Sequence, residues 1–123
     1  MKKYFYIVTP ISDDPDFTLK RNILMEVAVS KGINAHFPLD HPDSESSSIV
    51  SEINNASFVF ADVSFERPSC YYEIGVAQAL QKATFVVALK GTKIHQVEEK
   101  VHFYNELTEY KSLILQAINS NNP

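Results

Sequence analysis

The sequence contains a single cysteine and only three glycines among its 123 residues. One cysteine cannot form an internal disulfide, so a hydrophobic core must hold the fold together. A chain of this length with 45% hydrophobic residues is sufficient for one such core, and we expect a single domain over residues 1–123. The scarcity of glycine also excludes a glycine-rich phosphate loop after the first strand.

Positive charge and long apolar runs are also scarce. Lys and Arg number 11 against 15 Asp and Glu, a formal net charge of -4. Nucleic acids need clustered Lys and Arg, so the expected partners are small molecules or proteins instead. The apolar runs are far shorter than the roughly 18 residues of a membrane span, and no signal-peptide segment precedes the first strand. We therefore expect a soluble, cytoplasmic protein with no membrane partner.

The histidines do not form a metal-binding pattern. Their spacing matches no set of metal ligands, which predicts neither a metal nor a cofactor. One of them, His41, falls in a polar loop that could reach a ligand crevice. The four histidines are His36, His41, His95 and His102.

What the chain does contain is an alternation of strand-like and helix-like segments. Apolar, β-branched and aromatic runs predict strands at 3–11, 33–39, 57–62, 84–89 and, at an edge, 101–104. Apolar residues at helical spacing predict helices at about 16–31, 49–55, 69–80 and 107–117. The serine-rich segment 40–48 is expected to be a mobile surface loop, and 92–100 a loop or a short helix.

This alternation predicts an α/β fold with three layers. Helices would cover both faces of a doubly wound, five-stranded parallel sheet of the flavodoxin or Rossmann type, with strand order 2-1-3-4-5. Ligands bind such sheets outside the carboxyl ends of the strands, where the order reverses between strands one and three. The loops that meet there are 9–14 and 62–69.

Glu73 is the most unusual residue of the helix that follows the central strand. We expect this helix to begin near Ser69 as its N-cap, which places Glu73 on one stripe with Val76, Ala77 and Leu80. A carboxylate on the apolar side of a helix loses water, and this favours a chemical role. The alternative is that Glu73 only complements the helix dipole, which contributes some tenths of a kcal/mol to about 1 kcal/mol.

Gly75 is a second oddity of the same helix. A glycine inside a helix costs roughly 0.5 to 1 kcal/mol relative to alanine. It usually marks a close approach to the backbone, here by the neighbouring strand or by a ligand.

The residues around Glu73 resemble a family signature. The letters DVS at 62–64 and RPSCYYEIGVA at 67–77 are similar to the "aDlt…NPNVfYELGiAhA" pattern of the nucleoside 2-deoxyribosyltransferase-like superfamily, including its bacterial TIR-like relatives. The letters IVTPIS at 7–12 resemble the family's first strand and substrate loop, and the likeness covers nearly the whole chain. The resemblance implies cleavage of an N-glycosidic bond in a nucleoside, nucleotide or dinucleotide, and a homo-oligomer.

The resemblance also implies roles for two carboxylates. Glu73 matches the catalytic glutamate, which attacks or stabilises the anomeric carbon as the base departs. This agrees with the need of an oxocarbenium-like centre for a nearby carboxylate. Asp62 would lie beside Glu73 and bind sugar hydroxyls or protonate the leaving base. The alternative is that Asp62 caps the following turn through its own backbone.

The expected substrate-binding residues come from the two loops and the neighbouring helices: Thr9, Pro10, Ile11, Ser12, Arg21, Arg67, Ser69 and Tyr72. A phosphate would be held by Ser12, by backbone N–H groups at the start of the first helix, and by Arg21 or Arg67. Both arginines could instead be ordinary surface residues. The loop before the glutamate departs from the family pattern because it offers Glu66 and Arg67, so the group that handles the base stays open.

Three functions follow from these features. The first is a transferase or hydrolase of (deoxy)nucleosides or their monophosphates, the second a TIR-like NAD glycohydrolase that makes a nucleotide signal, and the third a nucleotide-binding module without catalysis. Cys70 at the helix start could act as a nucleophile, but a small packed thiol is expected because no histidine lies nearby in sequence. The tyrosines Tyr4, Tyr6, Tyr71 and Tyr72 could stack on a base, although core packing explains most of them.

Overall fold

The computed structural model describes residues 3–38, 46–95, 97 and 99–121. The strands are β1 (Tyr4–Val8), β2 (Asn34–His36), β3 (Val59–Asp62), β4 (Thr84–Leu89) and β5 (Val101–Tyr104). The helices are α1 (Phe17–Ser30), α2 (Ser46–Asn55), α3 (Pro68–Ala79) and α4 (Leu107–Asn121). All strand pairs are parallel and the order is β2-β1-β3-β4-β5, which confirms the predicted α/β fold.

Two core layers result from the alternation of side chains along the strands. Phe58 and Phe60 point to one face and pack with α1 and α4, whereas Val59 and Ala61 point to the other and pack with α3. Strands covered on both faces are apolar throughout, which is why β3 and β4 were recognisable as continuous runs. Within the described ranges, none of the helices has the length and hydropathy that crossing a bilayer requires.

Several boundaries differ from the predicted ones. The strand predicted at 3–11 ends at Val8, because Pro10 has no N–H to continue the ladder. The strand predicted at 33–39 is only three residues long. The helix α2 begins at Ser46, inside the segment predicted as a loop, while 39–45, including His41, lie outside the described residues. The described residues of 92–100 form no helix or strand.

The start of α3 decides how Glu73 is interpreted. The predicted N-cap at Ser69 is wrong: Arg67 is the N-cap and Pro68 occupies the first turn, where its missing N–H costs nothing. The first turn of α3 contains no acidic residue, and Glu73 lies in the next one. The interpretation of Glu73 as a helix cap is therefore wrong, since a charge interacts strongly with the dipole only in the terminal turn.

The close approach to Gly75 by the neighbouring strand, one of the two predicted possibilities, is wrong, and the approach by a ligand stays a prediction. A Cβ atom built on Gly75 would meet no atom within 4 Å in the part of the chain that the structure describes. Gly75 is exposed on the outer side of α3, away from the sheet. Its lack of a side chain is not required by packing within the described residues.

Candidate active site

A cavity of about 230 Å³ lies at the carboxyl end of β1, between α1 and α3. We call it the Glu73 cavity. Its walls are mostly apolar and consist of Ile7, Ile11, Phe17, Phe37, Pro38 and Ile49. Its polar residues are Thr9, Arg21, Ser69 and Glu73. The cavity thus lies at the sheet edge where the topology predicts ligand binding, and it contains the expected glutamate.

Glu73 is held by a tyrosine from the first strand. The Tyr6 hydroxyl donates a hydrogen bond to Oε2 of Glu73 at 2.5 Å, and the Tyr6 side chain is completely buried in β1. Burial raises the pKa of Glu73, the Tyr6 bond partly offsets this, and the charge of Glu52 raises it further. The pKa of Tyr6 itself is raised well above its usual range, again mainly by burial, so the phenol stays protonated and donates.

Behind Tyr6 lies a second set of polar side chains. His36 Nε2 is 3.3 Å from Glu52 Oε1, and the His36 ring is 5.0 Å from the ring of Tyr4 and 5.7 Å from that of Tyr6. The Tyr4 hydroxyl donates to the backbone carbonyl of Glu52 at 2.5 Å. The His36 ring therefore packs beside the Tyr6 ring. His36 and Tyr4 hold Glu52 nearby, and the charge of Glu52 raises the pKa of Glu73.

Asp62 lies on the other face of the sheet. Its side chain is fully buried and does not line the Glu73 cavity as far as the structure is described. Oδ2 accepts a hydrogen bond from the Tyr104 hydroxyl at 2.7 Å, and Oδ1 accepts one from the Ser64 N–H at 2.9 Å. The arrangement differs from the expectation that Asp62 lies beside Glu73, and it matches the alternative that Asp62 caps its own turn.

Lys20 completes the surroundings of Asp62. Its Nζ lies 2.6 Å from Asp14 Oδ2, 3.3 Å from Asp62 Oδ2 and 2.5 Å from the Tyr104 hydroxyl, and Lys20 and both carboxylates are buried. We call Asp14, Lys20, Asp62, Ser64 and Tyr104 the Lys20 cluster. Sequence reasoning missed it, although Lys20 falls on the buried stripe of α1 with Leu24 and Val27, the same signal that identified Glu73.

The remaining predicted substrate residues lie around a second opening. A groove of about 320 Å³, the Arg67 groove, adjoins the Glu73 cavity and is lined by Thr9, Pro10, Ile11, Ser12, Arg67 and Ser69. Arg67 Nη1 is 3.0 Å from Asp13 Oδ2 in a half-exposed ion pair. Tyr72 is exposed and lies apart from the described lining of both openings. Seven of the eight expected residues thus surround one bipartite crevice.

Cys70 is buried beneath the first turns of α3. Burial, together with the charges of Glu73 and Asp62, raises its pKa to about 12. A buried thiol that stays protonated at neutral pH is a poor nucleophile. In the described part of the chain, no group of three His, Cys, Asp or Glu side chains is placed to hold a metal ion.

A wider groove of about 520 Å³ lies on the outer side of α3, along Pro68, Ile74 and Gly75. His95 Nε2 lies 2.7 Å from Glu66 Oε1 in this groove, where Glu66 is partly exposed and His95 is exposed. Among the described lining residues of this groove, the one carboxylate belongs to Glu66, which is partly exposed. We therefore place the candidate site in the smaller and more enclosed Glu73 cavity.

No protein-family model matches the sequence, and no curated protein sequence matches it. Among solved structures, the fold is similar to a 2-deoxyribosyltransferase from Leishmania mexicana, at 17% identity, a TM-score of 0.65, and coverage of 90% of this chain and 97% of that chain. It is similar to a CMP N-glycosidase from Clostridium botulinum, at 18% identity, a TM-score of 0.67, and coverage of 89% and 96%. It is also similar to the TIR domains of the Roq1 resistosome, at 10% identity, a TM-score of 0.57, and coverage of 98% and 72%.

At these low identities, the similarities concern the fold alone. They cover between 89% and 98% of this chain, and two of the three neighbours are covered almost entirely. The chain therefore shares its fold with these proteins, and the resemblance drawn from its sequence is confirmed at the level of the fold.

Proposed function

We propose that this protein cleaves or transfers the N-glycosidic bond of a (deoxy)nucleoside or nucleotide, with Glu73 as the nucleophile or as the stabiliser of an oxocarbenium-like centre. The observation that carries the proposal is the Glu73 carboxylate, held by Tyr6 at the wall of an apolar cavity. The names of two structural neighbours, a deoxyribosyltransferase and a CMP N-glycosidase, support the same class of reaction.

The physical basis is electrostatic. As the bond to the base breaks, positive charge develops on the anomeric carbon, and a carboxylate on the opposite face stabilises that charge or forms a bond to the carbon. The interaction is stronger in an apolar cavity than in water. Tyr6 donates to Oε2, while Oε1 accepts no hydrogen bond from the described residues. The group that takes over the sugar is water in hydrolysis or a second base in transfer.

The Arg67 groove provides the expected place for the rest of the substrate. It continues the Glu73 cavity through Thr9, Ile11 and Ser69, and it adds the hydroxyl of Ser12 and the guanidinium of Arg67. Hydroxyls and a guanidinium suit sugar hydroxyls or a phosphate. We propose that the sugar edge or its phosphate binds in this groove, and that the active form is a homo-oligomer, which light scattering on the purified protein tests.

The function is tested by incubating the protein with deoxynucleosides, nucleoside monophosphates and NAD, with and without an acceptor base. Free base or an exchanged nucleoside is detected by chromatography. We expect product with the wild type and with Glu26→Gln, which removes an exposed carboxylate from α1, and none with Glu73→Gln.

Product formation by Glu73→Gln at the wild-type rate would contradict the proposal. Release of nicotinamide alone would select the NAD glycohydrolase. Binding of a nucleotide without product, unchanged by Glu73→Gln, would select the non-catalytic binding module.

A further inference from the structure

Arg21 is the one guanidinium on the wall of the Glu73 cavity as described, and the mechanism above does not use it. It projects from α1, and its guanidinium carbon lies 4.3 Å from the centroid of the Phe37 ring. Stacking on an aromatic face fixes the orientation of the planar group and leaves its edge for hydrogen bonds. A guanidinium has five N–H donors, so it can serve a protein neighbour and a ligand together.

The surroundings of Arg21 decide which part of a substrate it meets. The cavity wall on this side is formed by Phe17, Phe37 and Pro38, which suit a flat ring and not a doubly charged phosphate, whose desolvation is expensive. The more open and more polar Arg67 groove suits a phosphate better. A ring placed against Phe37 would instead present its polar edge to Arg21, which only donates hydrogen bonds.

We infer that Arg21 binds the departing base and stabilises it as it leaves, and that the substrates are pyrimidine nucleosides or nucleotides. This inference rests on the proposed function. In a pyrimidine nucleoside, a carbonyl oxygen lies next to the glycosidic nitrogen, and it carries much of the negative charge that develops on the base. A fixed guanidinium beside that oxygen stabilises the transition state more than the ground state.

The bond from the anomeric carbon to the ring nitrogen breaks, and its electron pair leaves with the base. An oxygen of Glu73, or of water in a direct displacement, forms the new bond to the carbon. Where Glu73 forms it, water or a second base then attacks the same carbon, and the electron pair of the bond to Glu73 returns to the carboxylate. Arg21 donates an N–H hydrogen bond to the base carbonyl and keeps its proton. In hydrolysis, the attacking water gives its proton to the base, so the products are the free sugar and the neutral base.

The same chemistry separates pyrimidines from the alternative substrates. A purine has no carbonyl next to its glycosidic nitrogen, so Arg21 would lack the acceptor that shares the developing charge. In NAD, the nicotinamide ring is a cation before the bond breaks and neutral afterwards. A neighbouring guanidinium repels that cation and offers no charge to stabilise in the leaving group.

The experiment compares the wild type with Arg21→Met, Arg21→Lys and Lys31→Met. Lys31 is an exposed cation at the end of α1, so its variant controls for charge removal. The probes are uridine and deoxyuridine, their 5′-monophosphates, and the 5-fluoro forms of each, whose base leaves more readily. NAD and the adenine counterparts serve as comparators, and kcat/KM is measured by chromatography.

We expect Arg21→Met to lose about 10²-fold in kcat/KM on the uracil substrates and several-fold less on the fluorinated ones, because a better leaving group needs less help. Arg21→Lys should recover part of the loss because it restores the charge, and Lys31→Met should match the wild type. Equal losses on both leaving groups, or a wild type that prefers NAD or adenine substrates, would overturn the assignment of Arg21 alone. A wild type that releases no base from any of these probes, or from the cytosine and guanine counterparts, would overturn the proposed function together with it.

Discussion

Glu73 and Asp62 face opposite sides of one sheet, and the two carboxylates differ in burial and in hydrogen-bond partners. Among the described residues, Glu73 receives one hydrogen bond, from Tyr6, at the edge of a cavity. Asp62 is buried completely, with both oxygens engaged by Tyr104, Lys20 and a backbone N–H. Burial raises the pKa of Glu73 despite its one partner.

The contrast favours a chemical role for Glu73 and a structural role for Asp62. A buried carboxylate with every oxygen satisfied is stable where it is, and moving a proton or a ligand to it would break several contacts at once. A carboxylate with one donor and a neighbouring cavity keeps an oxygen for a ligand, and its desolvation makes it more reactive. We therefore propose that Asp62 holds the β3–α3 turn and the start of α1 in place, so that Glu73 alone carries out the chemistry.

Breaking the Lys20 cluster should give the largest effect on stability. Lys20→Met leaves Asp14 and Asp62 buried without their cation, and we expect a loss of about 3–5 kcal/mol in the free energy of unfolding. Urea unfolding followed by circular dichroism measures the change. Lys31→Met, at an exposed position, should be within about 0.5 kcal/mol of the wild type. A stable Lys20→Met variant would mean that the cluster contributes little to holding the fold.

Breaking the support of Glu73 should change activity and its pH dependence. Tyr6→Phe removes the hydrogen bond that lowers the pKa of Glu73. Because the proposed mechanism requires the ionised carboxylate, the acidic limb of the kcat/KM profile should move to higher pH, with a loss of about 10-fold near neutral pH. Tyr71→Phe, in the outer groove, should leave the profile unchanged. An acidic limb that stays in place or moves to lower pH in Tyr6→Phe contradicts this account.

The raised pKa of Glu73 should make the stability of the fold depend on pH. The pKa of Glu73 is raised above its ordinary value of 4.5, so the unfolded chain releases this proton at a lower pH than the folded one. The wild type therefore loses stability as the pH rises from about that value through the raised pKa. Glu73→Gln should melt above the wild type at pH 7 to 8, and the difference should vanish toward pH 4. A Glu73→Gln variant that melts lower at neutral pH would show that the carboxylate stabilises the fold.

The outer side of α3 offers the smallest and simplest test. Gly75 faces open space there, so Gly75→Ala should stabilise the protein by roughly 0.5 to 1 kcal/mol through better helix propensity. Activity should stay at the wild-type level because the substitution lies opposite the Glu73 cavity. Thermal melting and the chromatographic assay measure the two effects. A loss of activity in a folded Gly75→Ala protein would place part of the site on the outer side of the helix.

The features that the sequence predicted correctly are those with a local signal. The parallel strands are short apolar runs, their order follows from the alternation of strands and helices, and Glu73 stands out because it interrupts an apolar stripe. The partners of the carboxylates have no such signal. Tyr6 is 67 residues from Glu73, and Lys20 is 42 residues from Asp62, so only the packing of α1 and α3 on the sheet brings them together.

Asp62 shows how a correct strand assignment still leaves a residue's role open. The strand ended where it was predicted, at the carboxyl edge of the sheet. Side chains alternate along a strand, however, and one residue decides whether a carboxylate faces α3 or α1. Asp62 shares its face with Phe60 and therefore meets Lys20 and Tyr104 instead of Glu73.

The most direct test of the account measures base release by the wild type, Glu73→Gln and Asp62→Asn side by side, with each rate normalised to the folded fraction. Asp62→Asn retains a side chain of the same shape and leaves the Lys20–Asp14 ion pair in place, so it should fold. We predict that Glu73→Gln loses at least about 10³-fold in rate, while folded Asp62→Asn stays within about 10-fold of the wild type. Equal losses in both variants would make Asp62 a second catalytic carboxylate, and an active Glu73→Gln would contradict the central claim.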